Sequence, residues 1–305
     1  MGGDILVGLD IKKALNTASG TGAYLIPTEL DPLLTELAFV EVPLLKMIKE
    51  KPWTTQVYTW NERSALVSAG AYSETDTFSS ATSTYAPISA TIKMVKADGE
   101  VSNLLRAVSV DYIDALKAEI ESATQELAHQ LERYYIVGNA GLSSKEFNGL
   151  SNLVTATYNA ASAKISLDIL DGAINTVINN YGNPNLILLA ARDVQELWSS
   201  IRSSTLAYFW NQIKVDSNLL PTYRGIPIVA SHFVPTTLNL TNNQSFGFVL
   251  DTSQILAPVV KGISYEDMSS KVTTDNTAFR LKTYRTLAVR GGAKKHVKMI
   301  NIAAP

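Results

Sequence analysis

The 305-residue chain contains no cysteine, which excludes disulfides, thiol chemistry and zinc sites of the cysteine type. Histidine is nearly as scarce. Three residues, His129, His232 and His296, leave few bases or nitrogen ligands for a catalytic centre. No eighteen apolar residues run together, and the opening MGGDILVGLDIKK carries its charges after a short apolar stretch rather than before it, so neither a membrane span nor a signal peptide is expected. Charge of one sign is missing as well: 26 basic and 28 acidic residues leave a net charge of −2, with no chain-wide attraction for nucleic acid or an anionic membrane. There is no GxSxG elbow, no GxxxxGK[ST] loop and no HExxH, and the glycine pair Gly20 and Gly22 follows no strand and lacks a third glycine. No enzyme class is therefore indicated, although a carboxylate-only site leaves no sequence signature. What is present is 46% hydrophobic content over a length that suits about two domains, the composition of a folded, soluble protein with a sizeable core.

The strongest local signal is a helix over 111–137. After Asp111, a good N-cap residue, apolar side chains recur at Ile113, Leu116, Ile120, Ala123, Leu127, Leu131 and Tyr134, steps of three and four that draw one buried stripe. Glu126, His129 and Glu132 fall on the other side beside Ser122 and Gln125, and are expected to be solvated. Gly138 supplies the stop. At 1.5 Å per residue this is a rod of roughly 39 Å, long enough for a scaffold element. Within it, Glu126 and His129 have the Glu-x-x-His spacing of di-iron carboxylate bundles, with Glu119, Glu121 and Glu132 nearby. Those bundles repeat the motif on a second helix, whereas His232 and His296 lie in short strand-like runs outside any such motif. Half the ligand set is missing, so no metal and no cofactor are expected. A metal-dependent enzyme using the Glu126/His129 face is the alternative from another functional class.

The first 25 or so residues are mixed and end in TASGTGAY, which reads as an extended arm. TELDPLLTELAFVEVPLLKMI follows, a short helix and an extended turn broken by Pro32 and Pro43. QVYTW and ISATIKMV read as strands, the second by its period of two. Between them SAGAYSETDTFSSATSTYAP is about half Ser and Thr and cannot form a core. Long structureless loops inside a domain are either disordered or made to bind. A hairpin arm held by a neighbouring subunit accounts for this composition. From about Ser166 the texture alternates: a helix through Ile169, Ala173, Val177 and Ile178 closed by Gly182, the strand NLILLAA, a helix through Val194, Leu197, Trp198 and Ile201, then GIPIVAS, FGFVLD and ILAPVV as strands. The final FRLKTYRTLAVR to HVKMINI reads as strands again. Its basic residues, Arg280, Lys282, Arg285, Arg290, Lys294, Lys295 and Lys298, form either a nucleic-acid patch or the solvated face of strands. The second is expected, because acidic residues balance them and no aromatic ladder accompanies them.

The order and spacing of these parts resemble the major capsid proteins of tailed bacteriophages with the Hong Kong 97 fold, across nearly the whole chain. GTGAYLIPTEL at 20–30 is similar to the end of that family's N-terminal arm and the helix after it, 55–95 to its E-loop hairpin, and 111–137 to its spine helix. IVGNAG with FNGL resembles the exit from the spine, and 166–261, with NYGNPNLILLA and YRGIPIVAS, the axial A-domain. The resemblance implies an α+β fold divided into an N-terminal arm (1–27), a first part of the P-domain (28–54), the E-loop (55–95), the P-domain with its spine helix (96–150), the A-domain (151–261) and strands returning to the P-domain (262–305).

It also implies a structural role without catalysis: self-assembly as pentamers and hexamers into an icosahedral shell around double-stranded DNA. The expected partners are other copies of the chain, a scaffolding protein, a portal, and packaged DNA through non-specific contacts, with no membrane. The expected location is the virion, and the host cytoplasm before assembly. An encapsulin-like compartment is the alternative within the fold. Because Leu25, Ile26 and Pro27 come so early, a separate scaffolding protein, or none, is expected in place of a fused scaffolding domain. The expected intersubunit contacts are apolar burial by Trp60, Tyr72, Phe78 and Tyr85, and ion pairs from Glu62, Arg63, Glu74 and Asp76. The best-known member of the family crosslinks neighbours through an E-loop lysine and a P-domain asparagine. No lysine lies between Pro52 and Ile92 here, with Lys51 and Lys93 at the hairpin base, so a non-covalent shell is implied.

Overall fold

The computed structural model describes residues 42–77, 80, 82–109, 114–202, 211–215, 218–236, 244–269 and 274–303. The expected arm, Phe78 and Asp111 lie outside the described residues. A helix, α3 (Ala115–Val137), runs about 34 Å at 1.5 Å per residue. Its cap is Asp114 rather than Asp111: the Asp114 carboxylate accepts from the Leu116 and Lys117 amides at 3.1 and 3.2 Å, two donors that have no partner inside the helix. Ala123, Leu127, Leu131, Tyr135 and Ile136 bury its apolar side, so the stripe ends on Tyr135 and Ile136 while Tyr134 is only partly covered.

Gly138 does end the helix, but not through a left-handed turn, since its φ is −49°. Glycine is required there by close approach. A Cβ on Gly138 would lie 2.4 Å from the Phe147 carbonyl oxygen, and one on Gly149 would lie 2.4 Å from that of Tyr134. The Gly149 amide donates to the Gly138 carbonyl at 2.8 Å. The two glycine motifs that follow the helix are thus one backbone-to-backbone junction, after which α4 (Leu150–Leu153) begins.

Ahead of α3 come α1 (Pro43–Met47), β1 (Lys49–Pro52), β2 (Val57–Ala65), β3 (Thr84–Thr91), β4 (Lys93–Ser102) and α2 (Asn103–Ser109). After α4 come β5 (Thr157–Asn159), α5 (Leu167–Asn179), β6 (Leu186–Ala190), α6 (Ala191–Arg202), β7 (Asn211–Val215), β8 (Asn218–Tyr223), β9 (Ile226–Ser231) and β10 (Ser245–Leu250). The chain continues through β11 (Ile255–Asp267), β12 (Asn276–Arg285), β13 (Ala288–Val289) and β14 (Val297–Ile302). The β7–β8 hairpin has no counterpart in the sequence reading, and β11 outruns its apolar core ILAPVV because β12 pairs along its polar half.

The described residues form three sheets. β1, β11, β12 and β4 form one, with β13 added on β11. A seven-stranded sheet runs β5-β14-β10-β6-β9-β8-β7, and β2 and β3 stand apart as a two-stranded ribbon. The last stretch of chain therefore divides between the two larger sheets, β12 and β13 in the first and β14 in the second. Strand alternation sorts the core: Leu186, Leu188 and Ala190 of β6 face the cluster that includes α3, while Ile187 and Leu189 face the one built on α5 and α6. β6 is thus covered on both faces, which is why it reads as an unbroken apolar run. On α5, capped by Ser166, the stripe uses Ile174 and stops at Val177, leaving Ile178 half exposed.

Candidate functional site

Glu126, His129 and Glu132 do not share a solvated face. Glu126 is exposed and its carboxylate accepts from Gln130 at 2.8 Å, with His129 Nδ1 3.9 Å away. The His129 ring is largely covered and packs 5.6 Å from that of Phe233. Glu132 is fully buried. Its Oε2 accepts from the Leu45 amide at 2.8 Å, and its Oε1 from the Leu44 amide at 3.2 Å and the Ser231 hydroxyl at 3.3 Å. Pro43 opens α1 and Val42 offers no side-chain cap, so Leu44 and Leu45 carry the first free donors of that helix. Glu132 caps α1 from α3 and ties both to the end of β9. Burial pushes its carboxyl up to about 7, against the pull of the three donors. Among the described residues no three His, Asp or Glu side chains converge as a ligand set.

The hairpin residues separate into a base and a tip. At the base, Tyr58 and Trp60 pack on Ala288, with Trp53, Ile88 and Ala90 around them. Trp60 is therefore largely buried in its own chain, with its remaining exposed surface on the cavity described below. Glu62 is likewise engaged internally: its Oε1 accepts from Trp60 Nε1 at 2.9 Å and from the Gly291 amide at 2.7 Å. Lys51 lies 5.2 Å over the Tyr58 ring, and Lys93 donates to the Ser144 carbonyl at 2.8 Å. Farther out, Arg63 is exposed and lies in register with Tyr85. Tyr85 and Tyr72 are 62% and 63% exposed, and Glu74 and Asp76 sit in an exposed turn. Asp76 closes that turn, its amide donating to Ser73 O at 3.1 Å and its carboxylate accepting from the Ser73 amide at 2.7 Å.

Of the basic residues near the end of the chain, four are spent inside the molecule, and a fifth, Arg290, donates from Nη2 to the Tyr58 hydroxyl at 2.6 Å without forming an ion pair among the described residues. Arg280 pairs with Asp98 at 2.6 Å, holding that carboxyl down at about 2, and Lys282 pairs with Glu266 at 2.6 Å. Buried Arg285 reaches Glu50 at 2.9 Å, and Lys298 donates to the Ser151 carbonyl at 2.8 Å. Arg290, Lys294 and Lys295 remain, and with Arg63 they line a cavity of about 620 Å³ floored by Trp60 and Ile88. Buried His296 fixes the loop that carries them: its Nδ1 accepts from the Asp251 amide at 3.2 Å and its Nε2 lies 3.1 Å from the Arg290 carbonyl, the pattern of a neutral ring. Burial lowers its pKa accordingly. Sequence reasoning missed this cavity, because its two walls stand more than 200 residues apart and only pairing elsewhere reveals which cations are left over.

Residues 13–303 match the family described as SU10 major capsid protein. No curated protein matches the chain. Among solved structures, the chain is similar to the SrpI encapsulin of Synechococcus elongatus PCC 7942, at 13% identity and a TM-score of 0.71, covering 93% of this chain and 96% of that one. The capsid of a native GTA particle gives 12% identity and 0.69, covering 95% and 100%. That of Cyanophage A-1(L) gives 13% identity and 0.68, covering 92% and 98%. These likenesses establish a Hong Kong 97-like fold, and the family match extends over nearly the whole sequence. The chain belongs to the SU10 major capsid protein family.

Proposed function

We propose that copies of this chain assemble as pentamers and hexamers into an icosahedral shell enclosing double-stranded DNA. The observation that carries this reading is the hairpin. Among the described residues β2 and β3 pair only with each other, and beyond their base Leu66, Val67, Tyr72 and Tyr85 are each more than half exposed. A two-stranded ribbon is marginal by itself in water, and apolar surface of this kind marks an interaction site. Other copies of the chain supply the cover.

In this reading 1–27 is the arm, 28–54 and 96–150 belong to the P-domain, 55–95 is the E-loop, 151–261 the A-domain, and 262–305 the return. β14 is the exception to that return, since it is hydrogen-bonded between β5 and β10 in the seven-stranded sheet. A scaffolding protein and a portal are the partners, and DNA is held by non-specific contacts. The chain is a component of the virion and resides in the host cytoplasm before assembly. The role needs no catalytic residue.

Sedimentation and electron microscopy of the purified protein test it. Hollow particles in the megadalton range that hold nuclease-protected DNA are expected, and a small discrete oligomer would overturn the proposal. The likeness to the SrpI encapsulin favours a second reading, a compartment for cargo protein. Particles that contain an enzyme and no DNA would select it.

A further inference from the structure

The base and the tip of the hairpin carry opposite charge, and among the described residues neither is neutralised by its own chain. At the base, Arg63, Arg290, Lys294 and Lys295 surround the cavity, and none makes an ion pair among the described residues. The one acid lining the cavity, Glu62, is turned to the Trp60 indole and the Gly291 amide. Between Arg63 and Lys93 the chain has two acidic residues, Glu74 and Asp76, and no basic one. Both acids sit in the exposed Ser73–Asp76 turn, also without an ion pair.

We propose that the tip of one copy, Tyr72 to Asp76, seats in the base cavity of a second copy, with Glu74 and Asp76 against the cations and the Tyr72 ring on the Trp60 and Ile88 floor. This rests on the shell reading above. The cavity volume falls within the 300–1,000 Å³ of ordinary binding clefts, enough for a turn with one aromatic ring. The turn is preorganised by its own hydrogen bonds, which lowers the entropic cost of docking. Four cations facing two carboxylates in a partly enclosed cleft form a network rather than a lone exposed pair, the arrangement in which such contacts count. A phosphate backbone fits less well, since the walls offer one aromatic face and no groove along which successive bases stack.

The absence of cysteine makes the test clean. Glu74→Cys and Lys294→Cys chains are prepared separately, mixed before assembly, oxidised in the particle and run on a non-reducing gel. A covalent dimer of two 33.1 kDa chains is expected from the mixture, at least tenfold more than from either variant alone. Charge reversal gives an independent readout. Glu74→Lys with Asp76→Lys, or Lys294→Glu with Lys295→Glu, should reduce particle yield at least tenfold, and the chain carrying all four substitutions should recover it. Particles that form normally with no excess of mixed dimer overturn the docking while leaving the shell reading intact. Particles of the Lys294→Glu, Lys295→Glu variant that assemble fully but lose protected DNA assign the cavity to nucleic acid and also overturn it. Failure of the unsubstituted chain to form particles defeats the shell reading itself.

Discussion

Glu132 holds three segments with one carboxylate, and its removal exposes two helix-terminal amides at once. Glu132→Ala should lower the stability of dissociated subunits by about 2–4 kcal/mol, from the lost cap and the orphaned donors, read as a fall in the urea midpoint. The pH dependence has a definite sign. The folded carboxyl keeps its proton up to about 7, above its ordinary value of 4.5, so its contribution is greatest below about 4.5 and falls as pH rises through 7. The gap between wild type and variant should therefore be wider at about pH 5 than at about pH 8, and an unchanging gap would contradict the assignment. Nothing in the heptad pattern distinguishes Glu132 from Glu126. Periodicity places both on the polar side of a helix, and the partners that bury one of them lie 87, 88 and 99 residues away.

Among the elements, α3, α5, α6 and the buried strands of the seven-stranded sheet were legible because each buries one stripe or one continuous run, whereas the short helices α1, α2 and α4 were not, having too few turns to draw a stripe. The β7–β8 hairpin was not: Gln212 to Val215 alternate and Asp216-Ser217 is a turn pair, but the alternation spans too few residues to stand out and Pro221 weighs against a strand. The hairpin was legible as a stretch that cannot form a core, but the division into an anchored base and an exposed tip was not, because Ala288 and Gly291, which hold Trp60 and Glu62, come from the far end of the chain. The tip yields a prediction about proteolysis. Trypsin has no site between Arg63 and Lys93, so the endoprotease that cuts after glutamate is the appropriate probe, with Glu74 exposed in its turn. Free subunits should be cut at Glu74 and assembled particles should resist, and equal cleavage in both would mean that the tip makes no intersubunit contact. The same stretch lacks the amine that a lysine-based crosslink needs, while Lys51 and Lys93 at its base are held by Tyr58 and Ser144. Mature particles boiled in denaturing detergent should run as one band near 33.1 kDa, and a ladder of covalent oligomers would reveal a crosslink of another kind.

At the scale of the whole molecule, β14 completes the seven-stranded sheet from the far end of the chain. It lies between β5 and β10, whose edges stay unpaired on that side until residues 297–302 exist. At about 5–20 residues per second, the ribosome takes on the order of ten seconds to travel from β5 to β14. During that interval the nascent chain carries a gap in its largest sheet, so its assembly surfaces have no finished scaffold behind them. If copies of the chain form the proposed shell, order of synthesis should act as a clock, and a chain still tethered to its ribosome should not nucleate a shell with its neighbours on the same message. Truncation after residue 296 should abolish particles, and adding back a peptide of residues 297–302 in trans should not restore them at equimolar concentration. A circular permutant that moves β14 ahead of β5 should instead associate while still on polysomes, which sedimentation of nascent chains would detect.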